Sequence, residues 1–302
     1  MILIRFFGRL CSLRMTAFFF RISLVFIITT ITIILNTSTM QAQMPQRIVS
    51  LAPSITHSVC ILGKEANLIG ITQYCPKGKT PKTVIGTIWE PNLEQIISLS
   101  PDLVIATKDS NKPGAVYRLQ ELGIRVHIVE TVDTFESICD EFNKLAVAID
   151  SEQQGKEIVA DARQRLKRLA YTDDNLAHDR STPKVFWQVG ANPIYTVSRH
   201  SFINEFISRA GGVNIFAELP ARYPHVSAEE VIRRAPDHII IAEMDENANA
   251  QVAYWNTLST IPAVKNDRVH YINDSLFMYP TPDTIATGAE MIAELLNKDT
   301  LP

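Results

Sequence analysis

Short apolar runs and helix-spaced apolar residues alternate along most of the chain. The short runs are rich in isoleucine, valine and leucine and predict buried strands. They are Arg47–Leu51, Leu68–Thr72, Leu103–Ala106, Val126–Val129, Lys184–Val189, His238–Ala242 and Val269–Asn273. Helix-spaced apolar residues predict helices at about residues 54–62, 115–122, 201–209 and 285–296. This alternation favours an α/β fold with mostly parallel sheets.

The middle of the chain has a longer helical pattern. Apolar residues from Phe135 to Ile149 lie at helical spacing, and a second helical set runs from Ile158 to Leu169 after a break near Ser151. The second set predicts a long amphipathic helix across two lobes, followed by a polar linker at Tyr171–Thr182. The predicted boundaries are a signal peptide at 1–42, an N-terminal lobe at 43–150, a connecting helix and linker at 151–177, and a C-terminal lobe at 178–302.

One eleven-residue pattern occurs twice, at a constant offset of 135 residues. Asn92–Asp102 and Ser227–Asp237 each predict a capped helix, a proline stop and a following strand. A serine followed three residues later by glutamate also predicts a reciprocal capping box in the second copy. An aromatic residue precedes each copy, Trp89 in the first and Tyr223 in the second. Because solenoid repeats have periods of about 20–50 residues, this distant repeat predicts two similar lobes with a cleft between them.

The N-terminus has the pattern of a secretory signal. Four arginines precede the uncharged stretch Ile22–Leu35, which is short for a membrane span. Ala42 provides a small residue at a cleavage point before Gln43, and Met15 is an alternative start. An uncleaved N-terminal anchor is the alternative interpretation. We expect a mature chain that is exported to the periplasm.

Composition and motifs narrow the functional classes. A formal net charge of −3, with 20% charged residues, argues against a nucleic-acid binder and a basic membrane-surface protein. Three cysteines follow the predicted cleavage point, and Cys60 with Cys75 is a possible disulfide in an oxidising compartment. The sequence has no P-loop, no G-x-S-x-G or G-x-G-x-x-G motif and no zinc-type ligand spacing. A secreted enzyme is therefore an alternative without a supporting motif.

Aromatic residues indicate a ligand cleft. They follow predicted strands or lie between elements, at Tyr74, Trp89, Tyr195, Tyr223, Phe277 and Tyr279. In open α/β sheets, ligands bind beyond the carboxyl ends of the strands, where such loops gather. Aromatic faces there can bury a broad apolar ligand and stack on it. A single ring would be better explained by packing, but six rings, two of them at matched places in the repeat, favour a cleft.

The sequence resembles the periplasmic solute-binding proteins that serve importers of cobalamin, ferric siderophores and haem. The likeness covers nearly the whole mature chain, and its class-typical segments are Arg47–Ser54, Trp89–Glu94 and Ser100–Ala106. The segments that resemble the cobalamin-binding member of this class are Gln188–Thr196, Gly211–Phe216 and Tyr223–Ser227. The resemblance implies two α/β lobes, one rigid connecting helix and a shallow cleft that closes little.

The resemblance also implies which residues contact the ligand. The matching positions are Pro53, Tyr74, Trp89, Tyr195 and Tyr223. Two of these are tyrosines where the better-known member has phenylalanine and tryptophan, so the pocket stays aromatic but gains hydroxyl groups. The disulfide of that relative's second lobe has no cysteine partners here.

In the same class, one surface glutamate of each lobe pairs with arginines of the membrane permease. Glu94 and Glu229 match these positions. Both also lie in the first turn of a predicted helix, where a carboxylate stabilises the positive end of the helix dipole. The two roles are compatible.

We expect the periplasmic component of an ABC importer, a monomer that binds cobalamin or a related corrinoid, delivers it to the permease and its ATPase subunits, and catalyses no reaction. It needs no cofactor of its own. A ferric siderophore or haem is the alternative cargo. An anionic siderophore requires several basic residues, whereas the cleft segments carry Arg199 and Arg222 among mostly aromatic residues. Haem requires an axial ligand, which His225 or a tyrosine can supply.

Overall fold

The computed structural model describes residues 44–176, 182–242 and 248–297. The first of these ranges begins with an N-terminal lobe built on a five-stranded sheet of order β3-β2-β1-β4-β5. All strand pairings described in this sheet are parallel. Its strands are β1 Ile48–Ser50, β2 Leu68–Ile71, β3 Thr83–Val84, β4 Leu103–Thr107 and β5 Val126–Val129.

A parallel pair needs a crossover rather than a tight turn. Helices form this crossover between β1 and β2 (α1 Pro53–Ile61), between β3 and β4 (α2 Leu93–Ser98) and between β4 and β5 (α3 Pro113–Glu121), and α4 Phe135–Ala148 follows β5. All five residues of β4 are buried. A strand covered on both faces is hydrophobic throughout rather than alternating, which explains the continuous apolar run at this point of the sequence.

The C-terminal lobe repeats this plan with one antiparallel strand. Its sheet has the order β10-β9-β6-β7, and β8 also pairs with β6. Only β7 is antiparallel among the pairings described. The strands are β6 Lys184–Gly190, β7 Tyr195–Thr196, β8 Val213–Asn214, β9 His238–Ile241 and β10 Val269–Tyr271. The helices that follow the connecting helix α5 (Glu152–Leu176) are α6 Ile203–Arg209, α7 Ala228–Arg234, α8 Ala248–Asn256, α9 Pro262–Lys265 and α10 Pro282–Asn297.

The connecting helix α5 spans Glu152–Leu176, or 25 residues, and is therefore about 37 Å long. It packs against α10 of the C-terminal lobe, where the Arg165 guanidinium donates to Asp283 at 2.9 Å and to Thr287 at 2.8 Å. The predicted linker was wrong for Tyr171–Leu176, which continues the helix. The rest of the predicted linker as far as residue 181, and the signal peptide, lie outside the described residues.

The sequence repeat corresponds to the same local structure in both lobes. The side chains of Asn92 and Ser227 cap α2 and α7 by accepting from main-chain N–H groups, at 3.0 Å and 3.3 Å. Asp102 accepts from the Arg47 N–H at 3.0 Å, and its counterpart in the second copy, Asp237, accepts from the Lys184 N–H at 2.9 Å. Each repeat aspartate therefore holds the start of the neighbouring central strand, β1 or β6, in place.

Other predictions were confirmed or corrected in detail. Every predicted strand is present within two residues at either end, and the α/β fold with mostly parallel sheets is confirmed. The reciprocal capping box was wrong, because the Glu230 carboxylate pairs with Arg233 at 2.6 Å and with Arg234 at 2.7 Å. Cys60 and Cys75 are free thiols in this structure. Within the described ranges, no helix combines the length and apolarity needed to cross a membrane.

Candidate functional site

A cavity of ≈ 360 Å³ lies between the two lobes at the carboxyl end of β4. Its walls mix hydroxyl groups, carboxylates, one guanidinium and apolar side chains. The N-terminal lobe contributes Ser54, Ile55, Ser58, Thr107, Asp109, Ser110, Val129, Glu130, Val132, Ile138, Glu141, Phe142 and Leu145, and the C-terminal lobe contributes Phe202, Arg222, Tyr223, Met278 and Pro280. The position agrees with the expected binding edge of an open α/β sheet.

Side-chain contacts join the lobes around this cavity. Arg222 of the C-terminal lobe pairs with Asp109 of the N-terminal lobe, with 3.3 Å between Nη1 and Oδ2. The rings of His57 and Tyr279 stack across the interface with centroids 5.0 Å apart. The described contacts therefore include both an ion pair and a ring stack between the lobes.

Trp89 lies at the tip of a tight loop that follows β3. The loop closes through a hydrogen bond from the Thr87 N–H to the Glu90 carbonyl, at 3.2 Å. Gly86 has φ +97, and a Cβ there would lie 2.6 Å from the Glu90 carbonyl oxygen, so only glycine fits at this position. The Trp89 side chain is 59% exposed. Because a large ring gains by burial, its exposure leaves a broad apolar face available to a ligand.

Asn111 fixes this loop to its neighbours. Its Nδ2 group donates to the carbonyl oxygens of Ile88 at 2.7 Å and Leu51 at 3.0 Å, and its Oδ1 accepts from the Thr107 N–H at 2.7 Å. The residue is 5% exposed. Since buried main-chain groups must find partners, the single Asn111 side chain satisfies one group in each of two loops and one at the end of β4. It was not among the predicted site residues, because Asn111-Lys112-Pro113 has the pattern of an ordinary helix start.

Tyr74 lies in the loop after β2 and is 71% exposed. Its φ of +70 is an uncommon left-handed conformation for a residue with a side chain. The loop is tied to the Trp89 loop by a hydrogen bond from the Gln73 N–H to the Gly86 carbonyl, at 2.8 Å. Pro53 begins α1 and is partly exposed. The structure therefore places the predicted N-terminal-lobe residues on loops that follow adjacent strands.

Tyr195 and Tyr223 are the corresponding exposed rings of the C-terminal lobe, at 40% and 41% exposure. Tyr223 lines the cavity between the lobes. Tyr195 pairs with His225 in an isolated antiparallel bridge, which holds the two tyrosine loops together. The Tyr195 ring lies over Gly190, where a Cβ would be only 3.2 Å from the ring.

Phe277 differs from the prediction, whereas the role predicted for Tyr279 stays a prediction. Phe277 is 1% exposed and packs in the core, with its ring centroid 4.9 Å from that of Phe206 and 5.5 Å from that of Trp187. Its assignment as a ligand contact was wrong, because the ring has no free face. Tyr279 is partly buried on His57, and burial raises the pKa of its hydroxyl group.

Glu94 and Glu229 are exposed in the first turns of α2 and α7. The pKa of the Glu229 carboxyl is lowered, first by its own main-chain N–H and then by the Ser227 hydroxyl. Each lobe therefore presents an exposed glutamate at the start of equivalent helices of the repeat.

The family of periplasmic binding proteins matches residues 48–276 of this chain. The chain belongs to that family. The two lobes, the connecting helix and the cavity between the lobes are thus the architecture of a periplasmic binding protein, a class that binds solutes rather than catalysing reactions.

Individual relatives of this periplasmic binding protein carry more specific names. The vitamin B12-binding protein of Pectobacterium atrosepticum is 28% identical over 257 residues, covering 83% of this chain and 88% of the relative. The vitamin B12-binding protein of Vibrio parahaemolyticus is 30% identical over 251 residues, covering 82% and 88%. The crystal structure of the vitamin B12-binding protein BtuF of Vibrio cholerae superposes with a TM-score of 0.70 at 28% identity, covering 86% of this chain and 99% of that one.

A haem-binding protein has the same fold. The periplasmic haem-binding protein of Pseudomonas aeruginosa superposes with a TM-score of 0.73 at 22% identity, covering 83% of this chain and 92% of that one. At this identity the likeness concerns the fold alone. The chemistry of the cleft must therefore be argued from this chain's own residues.

Proposed function

We propose that this periplasmic binding protein is the substrate-binding component of an ABC importer and that its cargo is cobalamin or a related corrinoid. The observation that carries the proposal is the pair of exposed aromatic loops on opposite lobes. Trp89 projects from one lobe, and Tyr223 lines the cavity from the other. A corrin ring is broad and flat, so stacking on two large rings suits it. The relatives named for vitamin B12 support this assignment.

The charged groups of the cleft support a corrinoid over the alternative cargoes. Arg222 is paired with Asp109, and the Arg199 guanidinium donates to the Ala217 carbonyl at 2.9 Å. An anionic siderophore or a haem carboxylate would have to displace Asp109 before it could pair with Arg222. The periphery of cobalamin carries uncharged amides, which the serine and threonine hydroxyl groups of the cavity can hydrogen-bond.

Delivery to the membrane is part of the proposal. Exposed Glu94 and Glu229 lie at equivalent helix starts of the two lobes, where they can pair with arginines of the permease. The mature protein is a monomer that starts at residue 43, is exported to the periplasm, needs no cofactor of its own and catalyses nothing. The permease partners with its own ATPase subunits.

Equilibrium dialysis of the purified mature chain tests the cargo. Cyanocobalamin, dicyanocobinamide, haemin and a ferric siderophore are dialysed separately, and the bound fraction is measured by absorption. We expect binding of one of the two corrinoids in the sub-micromolar range. Retention of haemin or the siderophore with no corrinoid retained would replace the proposal with the alternative cargo. Failure of all four ligands to bind would reject the importer assignment as stated.

A further inference from the structure

We propose that Asp109 sets the charge selectivity of the cleft by occupying Arg222. The inference deepens the proposed function, since it concerns which ligands the cleft rejects. Arg222 Nη1 lies 3.3 Å from Asp109 Oδ2, and both residues line the cavity between the lobes. Their side chains are 26% and 37% exposed. The pair is thus accessible to a ligand while remaining partly shielded from water.

Both partners are held in place from their own lobes. The second carboxylate oxygen of Asp109 accepts a hydrogen bond from the Thr131 hydroxyl group. The main-chain carbonyl of Arg222 accepts from the Ser198 N–H at 3.1 Å. Asp109 therefore has one oxygen satisfied within its lobe and one directed to the guanidinium. The ion pair joins two fixed loops and not two free side chains.

The remaining charges of the cavity are negative. Among the described residues lining it, Arg222 alone is basic, whereas Asp109, Glu130 and Glu141 are acidic. Glu130 is engaged by Lys108 at 2.7 Å and Glu141 by Lys144 at 2.6 Å, both from outside the lining. An anionic ligand would therefore meet three carboxylates and one guanidinium, each of which already has a partner of opposite charge.

This arrangement predicts that the cleft rejects ligands whose own carboxylates must be bound by an arginine. Arginine binds carboxylates through paired N–H groups, so a ligand carboxylate would have to displace Asp109. The displaced aspartate would then repel the ligand as a like charge. A corrinoid with amide side chains has no such requirement. Asp109 thus lowers the affinity of the cleft for anionic ligands. Specific binding sites often include such a repulsive element.

The test uses the Asp109→Asn variant, which keeps the shape of the side chain and removes its charge. Haemin serves as the anionic probe and cyanocobalamin as the probe with amide side chains, each by equilibrium dialysis. We expect haemin affinity to rise about fivefold, the scale of an ion pair at a partly exposed site. Cyanocobalamin affinity should change less than haemin affinity. The double variant Asp109→Asn/Arg222→Gln should lose the gain, because the released guanidinium is gone.

Glu130→Gln is the matched control, since it removes one negative charge from the same cavity without touching Arg222. Equal gains in haemin affinity from Glu130→Gln and Asp109→Asn would overturn the inference in favour of net charge alone. Unchanged or unmeasurable haemin binding by a folded Asp109→Asn protein would also overturn it. Absence of corrinoid binding by the wild type would instead count against the proposed function, whatever Asp109→Asn does to haemin.

Discussion

The amide group of Asn111 donates to the carbonyl oxygen of Ile88 at 2.7 Å, directly before Trp89. The same amide group donates to the carbonyl of Leu51, two residues before Pro53, at 3.0 Å. One buried side chain thus sets the spacing between two loops that carry proposed ligand contacts. A ligand that stacks on Trp89 gains affinity when that loop is already in place, because less conformational entropy is lost on binding.

Asn111→Ala should weaken corrinoid binding and destabilise the fold, by about 1–3 kcal/mol for the buried groups left without partners. Calorimetric titration and thermal melting measure the two effects. Asn214→Ala is the matched control, because Asn214 is also buried, at 6% exposure, and makes comparable hydrogen bonds to Val197, Asn204 and Phe216 at the opposite edge of its sheet. An equal loss of affinity in both variants would show a general effect of destabilisation instead.

Trp89→Ala should reduce the binding free energy of a corrinoid by about 1–3 kcal/mol, as expected for an aromatic anchor at an interface. The side chain is 59% exposed, so thermal stability should change little. Tyr117→Ala provides the control, since this ring is also largely exposed, at 68%, but lies on α3 and not on a loop that follows a strand. Unchanged affinity in a folded Trp89→Ala protein would show that the ligand lies elsewhere.

Replacing both Glu94 and Glu229 with alanine should leave corrinoid affinity nearly unchanged and abolish uptake by cells. Replacing both with arginine should abolish uptake as well, because like charges would then meet across the contact. The matched control replaces Glu136 and Glu152, which are also exposed glutamates in first helical turns. Normal uptake by the Glu94/Glu229 variant at normal expression would show that these glutamates act only on their helices.

Protonation of His57 should lower the stability of the folded state as the pH falls. Burial lowers its pKa below the ordinary 6.5, although Asp283 acts in the opposite sense. The folded state therefore favours the neutral ring, so its contribution is complete above about pH 6.5 and is lost as the pH falls below that value. His57→Phe keeps a ring against Tyr279 and removes the titration. Denaturant unfolding between pH 7 and pH 5 should show a shallower loss in the variant. An identical slope in both proteins would contradict the assignment.

Much of the fold could be predicted from residue patterns. The repeat carried the most information, because Asp102 and Asp237 perform the same main-chain hydrogen bonding beside β1 and β6. Strands buried on both faces are also easy to recognise, since they are apolar throughout. The end of α5 was harder to predict. The helix continues through the mostly polar segment Tyr171–Leu176, which lies beyond the last residue of the apolar pattern.

The site was predicted less completely than the fold. Aromatic residue type selected Trp89 and Tyr223, which are exposed, together with Phe277, whose short 3-10 turn directs it into the core. The Asp109–Arg222 pair joins residues 113 positions apart, and no local pattern connects them. Asn111 likewise acts on main-chain groups far away in sequence. Such roles depend on how loops meet after folding.

In the proposed function, a corrinoid lies between the aromatic loops of the two lobes. Crystals of the mature protein grown with cyanocobalamin allow the cobalt to be located directly, from its anomalous scattering. We expect one strong cobalt peak between the Trp89 loop and the Tyr223 loop, over the cavity that both lobes line. No cobalt peak despite excess ligand, or a peak outside this cleft, would contradict it.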